Sequence, residues 1–167
     1  MYKRQYNTNF VREIGRDTCE YAGGENFMVE DDLVENFIRQ KDEVRRAARH
    51  SNRLLFVDTD ALTTGFYCDL LMDDDEQKRR LTDMAGAINA TNKWDLVLFL
   101  DPDETDFVQD GTRNEKIMRE RRHYSDLLKA WFDKYGVHCE TISGDYLDRF
   151  NTAKKLIEER LAITTVF

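Results

Sequence analysis

The residues best placed to do chemistry follow a short apolar run in the first half of the chain. Leu54–Val57 reads LLFV and is followed closely by Asp58, Asp60, Thr63 and Thr64. The run is too short for a helix and is typical of a strand buried on both faces of a parallel sheet. Carboxylates at the carboxyl end of such a strand lie where open α/β sheets bind ligands, and a carboxylate there can hold Mg²⁺ or its water. The pattern favours phosphoryl-transfer chemistry, although Asp and Thr are also common at ordinary strand-to-turn junctions.

A second charged pair follows another predicted strand. Phe10–Ile14 reads FVREI, and a strand over these residues would place Glu13 and Arg16 at its end. A charged pair at a strand edge can bind a polar ligand. A solvated ion pair without a ligand explains the same residues equally well.

Apolar segments of strand length alternate along the chain with segments of helical periodicity. The predicted strands lie near residues 10–14, 54–58, 95–100 and 137–142. Strands that alternate with helices indicate βα units and therefore an α/β fold with a parallel sheet flanked by helices. Polar residues follow all four strands, so we expect them to share one edge of the sheet.

Composition and charge exclude several classes of function. The 167 residues are enough for one domain with a substantial core. With 25 basic and 33 acidic residues the net charge is −8, which disfavours general nucleic-acid binding by this domain. The three cysteines show no CxxC pattern and predict neither a disulfide framework nor a zinc site. The sequence shows neither a signal peptide nor a long apolar span, so we predict a cytoplasmic protein without membrane contact.

A polar segment over residues 103–122 carries several arginines. Asp110 and Gly111 form a turn signal, and four arginines follow it: Arg113, Arg119, Arg121 and Arg122. Guanidinium groups in such a segment are suited to closing over phosphates. A solvent-exposed helix face is an equally good explanation.

The phosphate-cradling loop that would complete a phosphoryl-transfer site does not occur in the sequence. No G-x-x-x-x-G-K-[ST] motif is found anywhere in the 167 residues. The first five residues, MYKRQ, correspond to the translation of a transposon adapter used in sequencing libraries, and we interpret them as a non-native scar. We therefore expect residues 6–167 to be a single truncated domain whose first strand and loop lay upstream.

Four stretches in order carry a resemblance to a known family. They read NTNFVREIGR at 7–16, LLFVDTDALTT at 54–64, FVQDGTR at 107–113 and SGDYLDRF at 143–150. Together they resemble the kinase domain of NadR-type proteins, ribosylnicotinamide kinases among the AAA-like P-loop NTPases. The resemblance runs from about Asn7 to Glu159 and implies a P-loop nucleoside-kinase-like fold, here without its N-terminal strand and P-loop.

The resemblance assigns roles to the acidic residues of the first half. Asp58 falls on the family's Walker B aspartate, which would hold Mg²⁺ directly or through water. Asp60 and Glu13 would bind the ribose hydroxyls of the acceptor, and one of them would take the proton of the attacking 5′-hydroxyl. Arg16 would help to bind substrate or phosphate.

The resemblance also assigns roles to the polar segment. Arg113, with Arg119 and with Arg121 or Arg122, would close over the transferring phosphate of ATP and offset its charge. Phe107 and Asp110 would face the substrate. The family has tryptophan where Phe107 stands, and because phenylalanine stacks less well on a cationic ring, the identity of the nucleoside stays open.

The last matched stretch lies on the ATP side. Gly144, Tyr146 and Arg149 fall on the loop after the final strand, near the adenine in P-loop kinases. A core aromatic at Tyr146 and a helix-surface cation at Arg149 are the alternatives.

The function that the resemblance implies is ATP-dependent phosphorylation of nicotinamide riboside to the mononucleotide in NAD salvage. ATP and Mg²⁺ would be the cofactors, and the partners would be small molecules. Lacking the Walker A lysine, the chain itself is expected to be a poor catalyst and marginally stable. The alternatives are a kinase for another nucleoside, a non-catalytic nucleotide-binding regulatory module, and a structural domain without ligand.

Overall fold

The chain folds as a helix-rich α/β protein with parallel strands, as the sequence predicts. A computed structural model describes residues 8–24, 28–102, 117 and 119–164. The elements in chain order are β1 (Asn9–Val11), α1 (Ile14–Ala22), α2 (Glu30–Arg49), β2 (Leu55–Val57), α3 (Ala61–Leu71), α4 (Asp75–Thr91), β3 (Leu98–Leu100), α5 (Arg121–Lys134), β4 (Glu140–Ile142) and α6 (Tyr146–Thr164).

The described strands form two parallel pairs. β1 pairs with β2, with Val11 opposite Val57, and β3 pairs with β4, with Leu100 opposite Ile142. Each pair joins strands that are separated by helix along the chain, as a parallel crossover requires. The sequence predicts one sheet with four strands, whereas the described residues show two sheets of two strands each.

The first strand is shorter than predicted, so two candidate residues, Glu13 and Arg16, lie at the start of a helix and not at the end of a strand. β1 ends at Val11, and helix α1 begins at Ile14. Ile14 is buried and is followed by buried Thr18 one helical turn later, so these residues have helical and not strand periodicity. Glu13 therefore stands at the N-cap position of a helix, without a capping hydrogen bond from its side chain, and Arg16 lies in the first turn of that helix instead of at a strand end.

The central strand is less buried than its apolar sequence indicates. Leu55, Phe56 and Val57 are each half-buried, and the prediction of a strand buried on both faces is wrong. Helix α2 packs against both β1 and β2, and among the described residues β1 is the only strand that pairs with β2. A two-stranded sheet cannot shield its residues as a larger sheet would.

The described residues divide into two compact units, one up to Asn92 and one from Lys93 onward. In the first unit, helices α2, α3 and α4 pack around a core of Leu33, Phe37, Ala61, Cys68, Leu81 and Ala85. In the second, the buried apolar residues come from α5, β4 and α6: Trp131, Phe132, Ile142, Ala153 and Ile157. None of the helices in the described ranges has the length and apolar character needed to cross a membrane.

Candidate functional site

The carboxyl end of the β1–β2 pair brings together acidic residues from two strands. The backbone N–H of Asp58 donates to the carbonyl of Val11 at 2.8 Å, which extends the strand pairing one residue beyond β2. Glu13 follows Val11 by two residues and Asp60 follows Asp58 by two. Glu13, Asp58 and Asp60 therefore follow the same end of this strand pair, as the sequence predicts for the first unit.

The Asp58 carboxylate is exposed at this edge and is open to a ligand. Within the described ranges, no group of three or more His, Cys, Asp or Glu side chains is arranged to hold a metal ion. Mg²⁺ in phosphoryl-transfer sites needs only one or two carboxylates, because waters and substrate phosphates supply its other ligands. The donor at Asp58 therefore fits Mg²⁺ that arrives with a nucleotide.

Asp60 is buried and caps helix α3. Its side chain is 7% exposed, and its Oδ1 accepts hydrogen bonds from the backbone N–H of Thr63 at 3.1 Å and from the Thr63 hydroxyl at 3.3 Å. A side-chain oxygen that accepts from the third residue of a helix is the usual N-cap arrangement. Asp60 thus has the structural role expected at a strand-to-turn junction, which is to cap the helix that follows.

Glu13 and Arg16 form a loose pair shortly after β1. The Arg16 Nε lies 3.6 Å from the Glu13 Oε2, and both side chains are 38% exposed. At this distance and exposure the pair adds little to stability. The Glu13–Arg16 contact by itself therefore restrains neither side chain strongly.

In the second unit an aspartate also follows a strand, but it is already paired. The backbone N–H of Asp101 donates to the Ile142 carbonyl at 2.9 Å, and Nη1 of Arg122 lies 3.0 Å from both carboxylate oxygens of Asp101. The Asp101 side chain is only 13% exposed. This pair joins the end of β3 to the start of α5.

The predicted arginine cluster is divided between a helix and its flank. Helix α5 begins at Arg121, so Arg121 and Arg122 belong to the helix. Arg119 precedes this helix and is exposed. For Arg122 the helix-face interpretation is therefore correct.

The Arg149 guanidinium is hydrogen-bonded to two backbone carbonyls of the second unit. Its Nε donates to the Gly144 carbonyl at 2.7 Å and its Nη2 donates to the Asp101 carbonyl at 2.6 Å. Arg149 lies in helix α6, and Asp145 caps this helix. Its Oδ1 accepts hydrogen bonds from the backbone N–H groups of Leu147 at 2.8 Å and Asp148 at 2.9 Å. The loop 143–145 is thus held at Gly144 and at Asp145 without any ligand.

Tyr146 is exposed, so the alternative of a core aromatic is wrong. Its side chain is 69% exposed at the first position of α6. An exposed aromatic next to a fixed loop can stack on a planar ligand. Three further candidates, Phe107, Asp110 and Arg113, lie outside the described residues, and their roles stay predictions.

Sequence reasoning missed a row of buried polar residues on α2. Asn36 is 3% exposed and accepts a hydrogen bond of 2.5 Å from the Thr18 hydroxyl, and Gln40 is 7% exposed and donates to the Thr59 carbonyl at 3.1 Å. Both residues continue the spacing of the core residues Leu33 and Phe37. Polar residues at core positions of an amphipathic helix were the available signal.

The fold and the strand-end residues define a helix-rich α/β domain with parallel strands. A family model described as an AAA domain matches residues 2–149. The chain belongs to this AAA-domain family.

Two curated relatives are similar over most of this chain. They are the trifunctional NAD biosynthesis/regulator proteins NadR of Escherichia coli (strain K12) and Salmonella typhimurium, each 24% identical over 159 residues and 93% of this chain. The chain spans 37% of the length of either relative. The NadR-type resemblance predicted from the four motifs is thereby confirmed.

Two solved structures have the same fold. A crystal structure of a NadR protein in complex with NR superposes with a TM-score of 0.83 at 23% identity, covering 95% of this chain and 45% of that one. A NadR protein in complex with NAD and AMP-PNP gives a TM-score of 0.79 at 22% identity, covering 95% and 43%. At these identities the likeness shows the fold alone.

Proposed function

We propose that the intact protein, with its upstream strand and phosphate-binding loop, is a cytoplasmic kinase that transfers the γ-phosphate of ATP to the 5′-hydroxyl of nicotinamide riboside for NAD salvage. One observation carries this proposal: the exposed carboxylate of Asp58 lies at the carboxyl end of a parallel strand pair, and the Glu13–Arg16 pair follows the other strand of that pair. That edge is where α/β proteins bind nucleotides and their metal ions. The similarity to NadR proteins, one of them solved with NR and one with NAD and AMP-PNP, supports this choice of acceptor and donor.

The acidic residues that follow β1 and β2 would have different roles in the reaction. Asp58 would hold Mg²⁺, which supplies charge neutralisation to the phosphates when bound. Glu13 or Asp60 would bind the ribose hydroxyls and accept the 5′-hydroxyl proton as the new O–P bond forms and the bond to the ADP oxygen breaks. Glu13 is the better base on geometry, because Oδ1 of Asp60 already caps α3.

The remaining candidate residues would contact nicotinamide riboside or ATP. Phe107, Asp110 and Arg16 would contact the riboside, and Arg113, Arg119 and Arg121 the phosphates. Gly144 and Tyr146 would lie against the adenine. Arg149 would act on the same loop through the Gly144 carbonyl, its hydrogen-bond partner.

The first test is ligand binding to the chain by calorimetry, with and without Mg²⁺. We expect nicotinamide riboside to bind, and Asp58→Asn to remove the Mg²⁺ dependence of AMP-PNP binding. Asp69→Asn is the matched control, because Asp69 is also an exposed aspartate of the first unit but lies near the far end of α3. Absence of riboside binding would overturn the choice of acceptor.

Turnover separates the kinase from its alternatives. The assay uses the protein with its upstream strand and G-x-x-x-x-G-K-[ST] loop restored, because the chain without that loop is expected to be a poor catalyst. ADP release with nicotinamide riboside should then exceed release with adenosine or thymidine. Preference for another nucleoside would indicate a different kinase, and nucleotide binding by the restored protein without ADP release for any acceptor would indicate a regulatory module. Sequencing the source DNA upstream of Tyr6 adds an independent check. An apolar strand followed by G-x-x-x-x-G-K-[ST] supports the kinase, and a native start codon without that loop contradicts it.

A further inference from the structure

The turn between β2 and α3 contains an unusual backbone conformation. Thr59 has φ 61°, in the left-handed region that β-branched residues rarely adopt. In an extended chain, Asp58 and Asp60 would point to the same side, because side chains alternate along a strand. The left-handed residue between them breaks that alternation. Asp58 is consequently exposed while Asp60 is 7% exposed and caps α3.

Hydrogen bonds hold each residue of this turn. The Asp58 N–H donates to Val11 at 2.8 Å, the Thr59 carbonyl accepts from Gln40 at 3.1 Å, and the Asp60 carboxylate accepts from Thr63 at 3.1 Å. The bonds at Asp58 and Asp60 belong to the strand pairing and to the helix cap. The bond at Thr59 comes from the side chain of a separate helix, α2.

We propose that Gln40 is a positioning residue that keeps Thr59 left-handed, so that Asp58 faces the ligand while Asp60 turns inward. The inference rests on the proposed function for the identity of the ligand, but its structural part does not. Gln40 is 7% exposed, so its amide is anchored in the core and has little freedom to move. A buried donor of this kind offsets the unfavourable conformation of the residue it contacts.

The geometry predicts how the turn responds to losing this bond. Without the Gln40 donor, Thr59 relaxes toward the conformations that a β-branched residue prefers, and Asp58 leaves its position. A glycine at position 59 adopts the left-handed region without steric cost and keeps the turn in place without help. The Thr59→Gly substitution therefore rescues a Gln40 variant, which it would not do if Gln40 only filled space in the core.

The experiment compares wild type, Gln40→Met, Thr59→Gly and the double variant. Met has nearly the same shape as Gln but lacks the donor. We expect Gln40→Met to weaken nicotinamide riboside binding by about tenfold and to lower Tm by about 2–4 °C, on the scale of one lost buried hydrogen bond. In the Thr59→Gly background both effects should fall to about half or less.

Arg53→Gly is the matched control. Arg53 is the other non-glycine residue with positive φ among those described, at 64°, and it lies before β2 instead of after it. Glycine there relieves similar strain without acting on the Asp58–Asp60 turn, so the cost of Gln40→Met should stay unchanged.

Two results overturn the inference. One is a Gln40→Met cost that is as large in the Thr59→Gly background as in the wild-type background, and the other is equal rescue by Arg53→Gly. If wild type binds no nicotinamide riboside, the proposed acceptor is wrong. The Tm comparison then still decides whether Gln40 holds Thr59, because it needs no ligand.

Discussion

The guanidinium of Arg149 donates to the backbone carbonyl of Asp101 at 2.6 Å, across 48 positions of sequence. Its Nε also donates to Gly144 at 2.7 Å, so one side chain joins the end of β3 to the loop that follows β4. Because Arg149 lies in the first turn and a half of α6, this link also fixes the start of that helix. The loop proposed to contact adenine is thus preorganised by a residue that the motif alone assigned to ATP.

Replacing Arg149 should destabilise the second unit. Arg149→Met removes two charge-assisted hydrogen bonds to backbone carbonyls, and we expect the free energy of unfolding in urea to fall by about 1–3 kcal/mol. Arg149→Lys should recover less than half of this loss, because an ammonium cannot reproduce two donors in fixed planar geometry. Full recovery with lysine would show that charge alone matters at this position.

Gly144 should be intolerant of a side chain for two reasons. Its φ is 93°, and a Cβ there would lie 2.7 Å from the Cβ of Asp148. Gly136 is the matched control, because its φ is 69° but a Cβ would meet nothing within 4 Å. We expect Gly136→Ala to cost about 1 kcal/mol from backbone strain and Gly144→Ala clearly more, measured by urea unfolding. Equal costs would mean that the loop moves away from Asp148 easily.

The two roles of Asp60 can be separated by substitution. Asp60→Ala removes the cap of α3 and should lower the free energy of unfolding by about 0.5–2 kcal/mol, whereas Asp60→Ser keeps a capping oxygen and most of the stability. If Asp60 also binds the acceptor, riboside affinity should fall in both variants, because serine lacks the negative charge. The control is Asp74→Ala. Asp74 caps α4 by accepting from the Gln77 N–H at 2.8 Å, and its loss should reduce stability without changing riboside affinity.

The sequence predicted the fold class because its signals, apolar strand-length segments that alternate with segments of helical periodicity, are local. Strand β2 accordingly lies inside the predicted apolar run. The strands were predicted too long, since apolar residues near a strand end, such as Ile14, can equally begin a helix. Pairing partners and burial depend on residues distant in the chain, so the half-exposure of β2 had no local signal.

The candidate site was predictable in its residue types and not in their contacts. The position of Asp58 after β2 follows from the sequence alone. That Arg149 contacts Asp101, or that Gln40 contacts Thr59, depends on how separate elements pack. The buried position of Gln40 could not be predicted from helical periodicity, because that periodicity is recognised from apolar residues alone and Gln40 is polar.

Cys68 should be chemically inert. It is completely buried in the core of the first unit, and burial raises the pKa of its thiol to about 12. Because only the thiolate reacts with alkylating agents, the folded chain at pH 8 should be modified at half-exposed Cys139 well before Cys68. Mass spectrometry after brief iodoacetamide treatment checks this order, and urea should abolish the difference. Early labelling of Cys68 in the native protein would indicate that the core opens locally.

The ion pair between Glu30 and Arg80 should make stability depend on acid pH. Arg80 donates to both carboxylate oxygens of Glu30 at 2.9 Å, joining the starts of α2 and α4. The hydrogen bond from Arg80 lowers the pKa of Glu30 below its ordinary value of 4.5. The contribution of the pair is therefore fully present above the unfolded-state pKa and is lost as pH falls through the lower folded-state pKa. Urea unfolding between pH 7 and pH 3 should show a smaller decrease for Glu30→Gln than for wild type. Glu76→Gln is the control, since Glu76 also lies near Arg80, at 3.1 Å, but is 73% exposed and should change the pH profile little.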